Sequence, residues 1–393
     1  MQPTKQSNRI LALDILRGIT IAGMILVNNP GSWGNIYAPL AHASWNGLTP
    51  TDLVFPFFMF IMGISTYISL RKSDFTPSGQ LVWKIVRRTI VIFAIGLAIA
   101  WFGKFCRTLA NPPEEVASLS LGGQLLAAAN SFDTLRILGV MPRLALCYCA
   151  AAFVAIFVKH RFIPWIIALI LVAYSAILIL GNGYEFSEQS IIARVDLAVL
   201  GDSHMYHDSI DGVRIAFDPE GILSTLPAIA HVLLGFWVAT FMMTVKDNHQ
   251  RIERLFIVGA ILTFAGFLLS YGLPINKKIW SPTFVLTTCG LASTLLALLI
   301  WIIDIRGHKE WCRFFESFGI NPLFMYVLGG VLSILFGTIS ICDISIHSLI
   351  YREFLGSFIE DKTFASLLYA LIFIAINWSI GYILYKKKIY IKI

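Results

Sequence analysis

The feature that most constrains this chain is a series of apolar stretches, each about 20 residues long, which recur along its whole length. A stretch of that length is sufficient for a helix to cross the hydrocarbon core of a bilayer. Charged residues make up only 13% of the sequence, whereas soluble globular proteins carry about 25%. The sequence therefore predicts an all-α polytopic membrane protein.

The apolar stretches predict a bundle of about ten transmembrane helices in a single domain that covers residues 1–393. The predicted spans are residues 10–29, 51–70, 84–103, 134–157, 162–180, 222–244, 255–272, 282–303, 318–338 and 364–385. The longest outer loop, residues 181–221, is too short for a core of its own and is predicted to cap the bundle. No cleavable signal peptide is predicted, because a full-length span follows the polar N-terminus without a small-residue cleavage site.

The distribution of Lys and Arg residues predicts the orientation of the bundle. One alternating set of loops is basic and includes Arg71, Arg88, Arg161 and Arg254. The tail 386–388 is basic as well. The positive-inside rule places these loops and both termini in the cytoplasm. The net charge of +7 follows from them, and no basic stripe interleaved with aromatic residues indicates a nucleic-acid partner.

Two pairs of charged residues fall inside predicted spans, where charge is costly unless it is paired or faces a cavity. Asp14 and Arg17 are one helical turn apart, so they either form a structural ion pair or line a polar cavity open to the cytoplasm. Arg136 and Arg143 are two turns apart, which predicts that their guanidinium groups share one helix face. They either bind an anion such as a phosphate or are neutralised by a carboxylate or a helix C-terminus.

Several polar residues fall at the outer ends of spans or in outer loops. Asn28 ends the first span and either caps the helix or donates a hydrogen bond to a developing oxyanion. Asn276 and Lys277 lie in an outer turn, where a Lys is either a solvated charge or a ligand for an anionic or hydroxyl-rich molecule. The His and Asp residues of loop 202–211 lack the spacing of a helical metal site, so no metal is expected.

The segment from His42 to Asp52 places a titratable His and an Asp at the mouth of the second span. A general-base His needs a carboxylate that fixes its tautomer and stabilises the imidazolium ion. An inert loop histidine is the alternative. Trp45 and Asn46 lie in the same segment and are candidates to contact a substrate.

Seven segments of the sequence resemble those of the heparan-α-glucosaminide N-acetyltransferase family, including its bacterial transmembrane members. They are residues 13–18, 27–31, 42–63, 135–143, 217–227, 274–280 and 319–323. The resemblance covers nearly the whole chain in the expected order, and the block that begins at His42 is its most specific part. The lysosomal members have an additional N-terminal luminal segment and span without a counterpart here, so we expect ten core spans, and the exact acceptor sugar stays open.

The resemblance implies transmembrane acetylation in the inner membrane of a bacterium. Acetyl-CoA would serve as the acyl donor on the cytoplasmic side, and a glucosamine-type amino sugar would be acetylated on the outer side. The family's catalytic His corresponds to His42 and its active-site Asn to Asn28, while Asp52 is predicted to orient His42. The candidate residues for binding acetyl-CoA are Asp14, Arg17, Arg136 and Arg143. The candidate residues for binding the acceptor are Trp45, Asn46, Glu220, Asn276 and Lys277.

Alternatives remain open at the level of chemistry and of function. His42 is predicted to act as a general base, and a nucleophilic role through an acetyl-imidazole is the other route. The competing functions are O-acetylation of an envelope glycan and sugar transport without acyl chemistry, since intramembrane charges and broken helices also suit transport. The expected partners are the amino sugar and membrane lipids, and a homodimer is left open.

Overall fold

The computed structural model describes residues 10–210 and 212–391, and these are predominantly helical. In chain order the α-helices of the described residues are α1 (Leu11–Asn28), α2 (Val54–Leu70), α3 (Gly79–Ala110), α4 (Glu114–Ala117), α5 (Leu121–Ala129), α6 (Val140–Phe157), α7 (Ile163–Leu180), α8 (Ile191–Leu200), α9 (Ile222–Met242), α10 (Asn248–Leu269), α11 (Pro282–Leu299), α12 (Cys312–Ile320), α13 (Pro322–Thr338), α14 (Ile346–Ser348), α15 (Gly356–Phe358) and α16 (Lys362–Lys386). The same residues form two short antiparallel hairpins, which are β1 (His207–Ile210) with β2 (Val213–Ala216) and β3 (Ser340–Ile341) with β4 (Ile344–Ser345).

Nine helical segments of the described residues are long and apolar enough to cross a membrane, and the bent pair α12–α13 is a tenth if it is counted as one span. Each predicted apolar stretch coincides with one of them, so the prediction of an all-α polytopic membrane protein is confirmed. Helices α12 and α13 meet at 88°. The bend lies at Pro322, which starts α13 and has no backbone N–H with which to continue α12.

The fourth apolar stretch begins as extended backbone rather than as a helix. Residues 135–138 are not helical, and α6 begins only after Gly139. The inference that Arg136 and Arg143 share one helix face is therefore wrong, because Arg136 precedes the helix. Both side chains still reach the same end of the bundle, where the segment that leads into α9 supplies their partners.

Helices α2 and α9 pack backbone against backbone in the centre of the bundle. A Cβ added at Gly63 would lie 2.1 Å from the carbonyl oxygen of Val232, and one added at Gly235 would lie 2.1 Å from that of Phe60. Small residues allow this close approach between membrane helices. The contact matters for the site, because α2 and α9 begin next to Asp52 and Glu220, respectively.

Residues 181–210 and 212–221 lie over the end of the bundle at which α2 and α9 begin. The indole N–H of Trp45 donates a 2.7 Å hydrogen bond to the carbonyl oxygen of Tyr184. Its ring packs edge-on against the rings of Phe186 and Phe217. These contacts attach the segment 181–221 to the loop that carries His42.

Helix α8 is connected to the start of α9 by a buried carboxylate. One oxygen of Asp196 accepts hydrogen bonds from the backbone N–H groups of Ile222 and Leu223, at 2.8 and 3.2 Å. Burial raises the pKa of Asp196 to about 6. The first turn of α9 is thereby capped by a group whose ionisation is costly.

Candidate active site

A cavity of about 550 Å³ lies at the end of the bundle where α1 ends and α2, α6, α9 and α11 begin. The β1–β2 hairpin contributes part of its wall. The cavity brings together six of the residues singled out from the sequence, which are Asn28, His42, Asp52, Arg136, Glu220 and Lys277.

The central contact of the cavity joins His42 and Asp52. Nδ1 of His42 lies 2.6 Å from Oδ1 of Asp52. The carboxylate is almost completely buried, whereas the His42 side chain is 39% exposed. An ionised carboxylate only accepts hydrogen bonds, so Nδ1 of a neutral His42 carries the proton. Nε2 has no partner among the described residues and is left available to a substrate in the cavity.

The backbone at the start of α2 fixes the position of the Asp52 carboxylate. Its Oδ2 accepts hydrogen bonds from the backbone N–H groups of Ala43 and Thr49, both at 3.1 Å, and from the Thr49 hydroxyl at 3.0 Å. Thr49 and Asp52 thus form a reciprocal capping arrangement at the helix start. The same carboxylate therefore orders the loop and orients the imidazole.

A lysine stands beside this pair. Nζ of Lys277 is 3.0 Å from Nδ1 of His42 and 3.3 Å from Oδ1 of Asp52. Burial lowers the pKa of Lys277, while the negative charges of Asp52 and Glu220 oppose this effect. The Asp52 carboxylate is therefore shared between the imidazole and a cation.

The turn that carries Lys277 is held by Asn276, which is completely buried. The side-chain Oδ1 of Asn276 accepts from the backbone N–H of Ile279 at 3.1 Å, and the side-chain Nδ2 donates to Oδ1 of Asn46 at 3.2 Å. Asn276, Asn46 and Trp45 do not line the 550 Å³ cavity. They connect the loops that form its walls, and their predicted contact with an acceptor stays a prediction.

Arg136 holds two carboxylates at the cavity wall. Its Nε donates to Oδ2 of Asp218 at 2.9 Å, and its Nη2 donates to Oε2 of Glu220 at 2.6 Å. Burial alone would raise the pKa of Glu220, but the positive charges of Arg136 and Arg143 lower it. Glu220 is therefore a fixed anion at the cavity.

Arg143 is completely buried behind the ring of Trp280 rather than in the cavity wall. Its guanidinium carbon lies 5.2 Å from the centroid of that ring. Nη2 donates hydrogen bonds to the carbonyl oxygen of Gly221 and to the Ser224 hydroxyl. Arg143 thus anchors the first turn of α9.

Asp14 and Arg17 form a separate cluster deeper in the bundle. Nη1 of Arg17 lies 3.0 Å from Oδ1 of Asp14, and Nη2 donates to the Ser65 hydroxyl at 2.9 Å. Arg17 is eleven residues before Asn28 on α1, which corresponds to about 16 Å along the helix. The four residues predicted to bind acetyl-CoA therefore do not form one group.

The sequence analysis did not place two of the cavity residues, Lys278 and Asp208, in a common site. Nζ of Lys278 forms an ion pair with Oδ2 of Asp208 at 2.6 Å, and both side chains line the cavity. They come from a tight turn and from a hairpin that are 70 positions apart in the chain. No local pattern signals such a pairing, although the adjacency of Lys278 to Lys277 was a hint.

A second cavity, of about 270 Å³, lies between α1, α3 and α13, and Asn28 lines both this cavity and the first. Its wall is mainly apolar, with polar groups from Asn28, Asn29, Tyr326 and Ser333. The Asn28 side chain is exposed, and the described residues give it no hydrogen-bond partner. Its amide therefore lies in the wall of both cavities.

Comparison with known proteins gives a consistent result. Residues 9–108 match the family model described as "Heparan-alpha-glucosaminide N-acetyltransferase, catalytic". The chain is 27% identical to heparan-alpha-glucosaminide N-acetyltransferase of Mus musculus over 443 aligned positions, which cover 98% of this chain and 61% of that protein. It is also 27% identical to heparan-alpha-glucosaminide N-acetyltransferase of Homo sapiens, over 81% of this chain and 52% of that protein.

The matches confirm the resemblance predicted from the sequence segments. The family model covers His42, Asn28 and Asp52. The chain spans between about half and three-fifths of the length of these relatives.

Proposed function

We propose that the chain is a transmembrane acetyltransferase, because it is similar to heparan-alpha-glucosaminide N-acetyltransferase over most of its length. Its donor is acetyl-CoA, and its acceptor is the amino group of a glucosamine-type sugar on the outer side of the membrane. The observation that carries the proposal is the His42–Asp52 contact in the 550 Å³ cavity. It provides an oriented base in a space of the size that small-molecule ligands occupy.

In the proposed reaction the sugar amine attacks the carbonyl carbon of the thioester. The C–N bond forms, the C–S bond breaks, and the proton lost by the amine passes to Nε2 of His42. Asp52 accepts the hydrogen bond from Nδ1 and stabilises the imidazolium ion. The imidazolium then gives its proton to the departing CoA thiolate. A positioned base of this kind contributes about 10²–10⁴-fold to the rate.

Asn28 is suited to stabilise the tetrahedral oxyanion. It ends α1 beside the cavity, and its amide is exposed there without a protein partner. A donor that is already in place when negative charge develops lowers the barrier without reorganisation.

The donor has to reach His42 from the opposite side of the membrane. The basic residues Arg71, Arg88 and Arg161 lie at the end of the bundle opposite the cavity, which supports a cytoplasmic assignment for that end. The 270 Å³ cavity supports a route for the acetyl-bearing arm, because Asn28 lines both this cavity and the site. In this proposal Asp14 and Arg17 line the cytoplasmic part of the path, whereas Arg136 and Arg143 organise the acceptor end.

The proposal is tested in proteoliposomes with labelled acetyl-CoA inside and glucosamine outside. We expect labelled N-acetylglucosamine outside, in equal amount to the CoA released inside, and a product that survives mild base. Entry of glucosamine without release of CoA would indicate a transporter. A base-labile product would indicate O-acetylation. The matched control is His42→Gln, which should form the product at a rate lower by at least about 10²-fold.

A second measurement separates the two roles of His42. Purified protein is incubated with labelled acetyl-CoA in the absence of an acceptor. Direct transfer predicts that no label is retained on the protein. Label retained on the native protein but not on His42→Gln would indicate an acetyl-imidazole intermediate.

A further inference from the structure

The 550 Å³ cavity is lined by charged side chains of both signs, and their pairing is informative. Among the described residues the lining cations are Arg136, Lys277 and Lys278, with His42 as a further titratable group. Lys277 lies 3.3 Å from Oδ1 of Asp52. The other two cations are also paired with carboxylates, so none of the three is left as a free anion-binding group.

The ion pair between Lys278 and Asp208 closes one side of the cavity. Nζ of Lys278 lies 2.6 Å from Oδ2 of Asp208, and only 19% and 12% of these side chains are exposed. Asp208 belongs to β1, so the pair attaches the hairpin to the turn that carries Lys277. The two charges neutralise each other where a bound sugar would contact the hairpin.

Arg136 is fully engaged by two carboxylates, Asp218 and Glu220. Its guanidinium group also lies over the ring of Tyr206, with 5.0 Å between the guanidinium carbon and the ring centroid. The described residues of the cavity wall carry three carboxylates, Asp52, Asp208 and Glu220, and three cations. These charges balance, so the wall offers no excess positive charge to an anion.

One buried cation is not neutralised in this way. Nε and Nη1 of Arg143 have no partner among the described residues. Arg143 is completely buried, however, and does not line the cavity. It is therefore not available to a substituent on a sugar bound there.

We infer that the acceptor is a short amino sugar without an anionic substituent, an inference that rests on the proposed function. A sulfate, phosphate or carboxylate group in the cavity would have to break an existing ion pair and leave a largely buried carboxylate unpaired. Hydroxyl groups make no such demand. Asp208 is then a specificity-determining residue, because it pairs with Lys278 and so keeps that ammonium group from binding an anionic substituent.

The test compares kcat/KM for glucosamine with that for glucosamine 6-sulfate at saturating acetyl-CoA. For the native protein we expect a preference for glucosamine of at least about tenfold, the effect of roughly 1.4 kcal/mol. Asp208→Asn frees the ammonium group of Lys278 and should reduce this preference at least several-fold. Lys278→Gln leaves Asp208 unpaired and should increase the preference, so the two variants move the ratio in opposite directions.

Asp202→Asn is the control, because Asp202 lies outside the cavity wall and contacts His207 at the surface. It should leave the ratio unchanged. Equal use of both sugars by the native protein, or an unchanged ratio in both Asp208→Asn and Lys278→Gln, would overturn the inference while leaving the acetyltransferase intact. Failure to acetylate either sugar would overturn the proposed function as well.

Discussion

His42 and Thr49 are held by opposite oxygens of one carboxylate. Oδ1 of Asp52 lies 2.6 Å from Nδ1 of His42, and Oδ2 accepts the backbone N–H of Thr49 at 3.1 Å. The orientation of the imidazole is therefore set by the same group that starts the second membrane-spanning helix. A change in this carboxylate should affect both catalysis and local stability.

Asp52→Asn should reduce kcat strongly, by about 10²–10⁴-fold. An Asn side chain has only one acceptor atom, so it cannot serve both His42 and the Thr49 N–H. The steady-state rate of N-acetylation measures this effect. Thr51→Ser is the control, because it retains the hydroxyl that donates to the carbonyl oxygen of Pro39. A kcat within threefold of the native value for Asp52→Asn would contradict an orienting role.

Lys277→Met should shift the acidic limb of the pH profile of kcat/KM to higher pH. The native ammonium group lies 3.0 Å from Nδ1 of His42 and opposes a second positive charge there. Its removal takes a positive charge away from the imidazole and therefore favours the imidazolium ion. Burial lowers the pKa of Lys277. The native ammonium group therefore loses its proton, and stops opposing the imidazolium ion, at a lower pH than an exposed lysine would.

The control for this shift is Lys278→Met, since Lys278 pairs with Asp208 instead of Asp52. It should displace the acidic limb much less. An unchanged limb in Lys277→Met, or one that moves to lower pH, would show that Lys277 does not oppose protonation of His42.

The sequence predicted the spans well and the cavity only in part, for different physical reasons. Spans follow from local apolar length, so each of the ten stretches has its helix. The assignment of Arg136 to a helix failed because Gly139 delays the start of α6. Contacts such as Lys278–Asp208 depend on how loops fold over the end of the bundle. Periodicity along the chain carries no information about such contacts.

Asp196→Asn should change stability in a pH-dependent way. The pKa of Asp196 in the folded protein is about 6, above the value of about 3.9 in an unfolded chain. Ionisation therefore costs folding free energy. The cost is absent below the lower value, develops between the two, and is complete above about pH 6.

An Asn at this position cannot ionise and retains an oxygen for the N–H groups of Ile222 and Leu223. The Tm of Asp196→Asn relative to the native protein should be higher near pH 8 than near pH 4, by several degrees. Thermal unfolding in detergent at the two pH values measures this. If Asp196→Asn and the native protein differ in Tm by the same amount at both pH values, the result would contradict the raised pKa of Asp196.

Gly63→Ala should destabilise the bundle. The added Cβ would lie 2.1 Å from the carbonyl oxygen of Val232, so α2 and α9 must move apart at a cost of about 1–3 kcal/mol. Thermal unfolding should show a lower Tm. Gly337→Ala is the control, because nothing lies within 4 Å of a Cβ at that position. A Tm equal to that of the control would show that the helices tolerate separation.

The most direct test of the central claim is the rate of acetyl transfer from acetyl-CoA to glucosamine by native protein and by His42→Gln. Thermal unfolding verifies that the variant is folded, which we expect because the His42 side chain is 39% exposed. The predicted result is a loss of kcat of at least about 10²-fold at an unchanged Tm. A folded His42→Gln protein that retains the native rate would contradict a role for His42 in the chemistry.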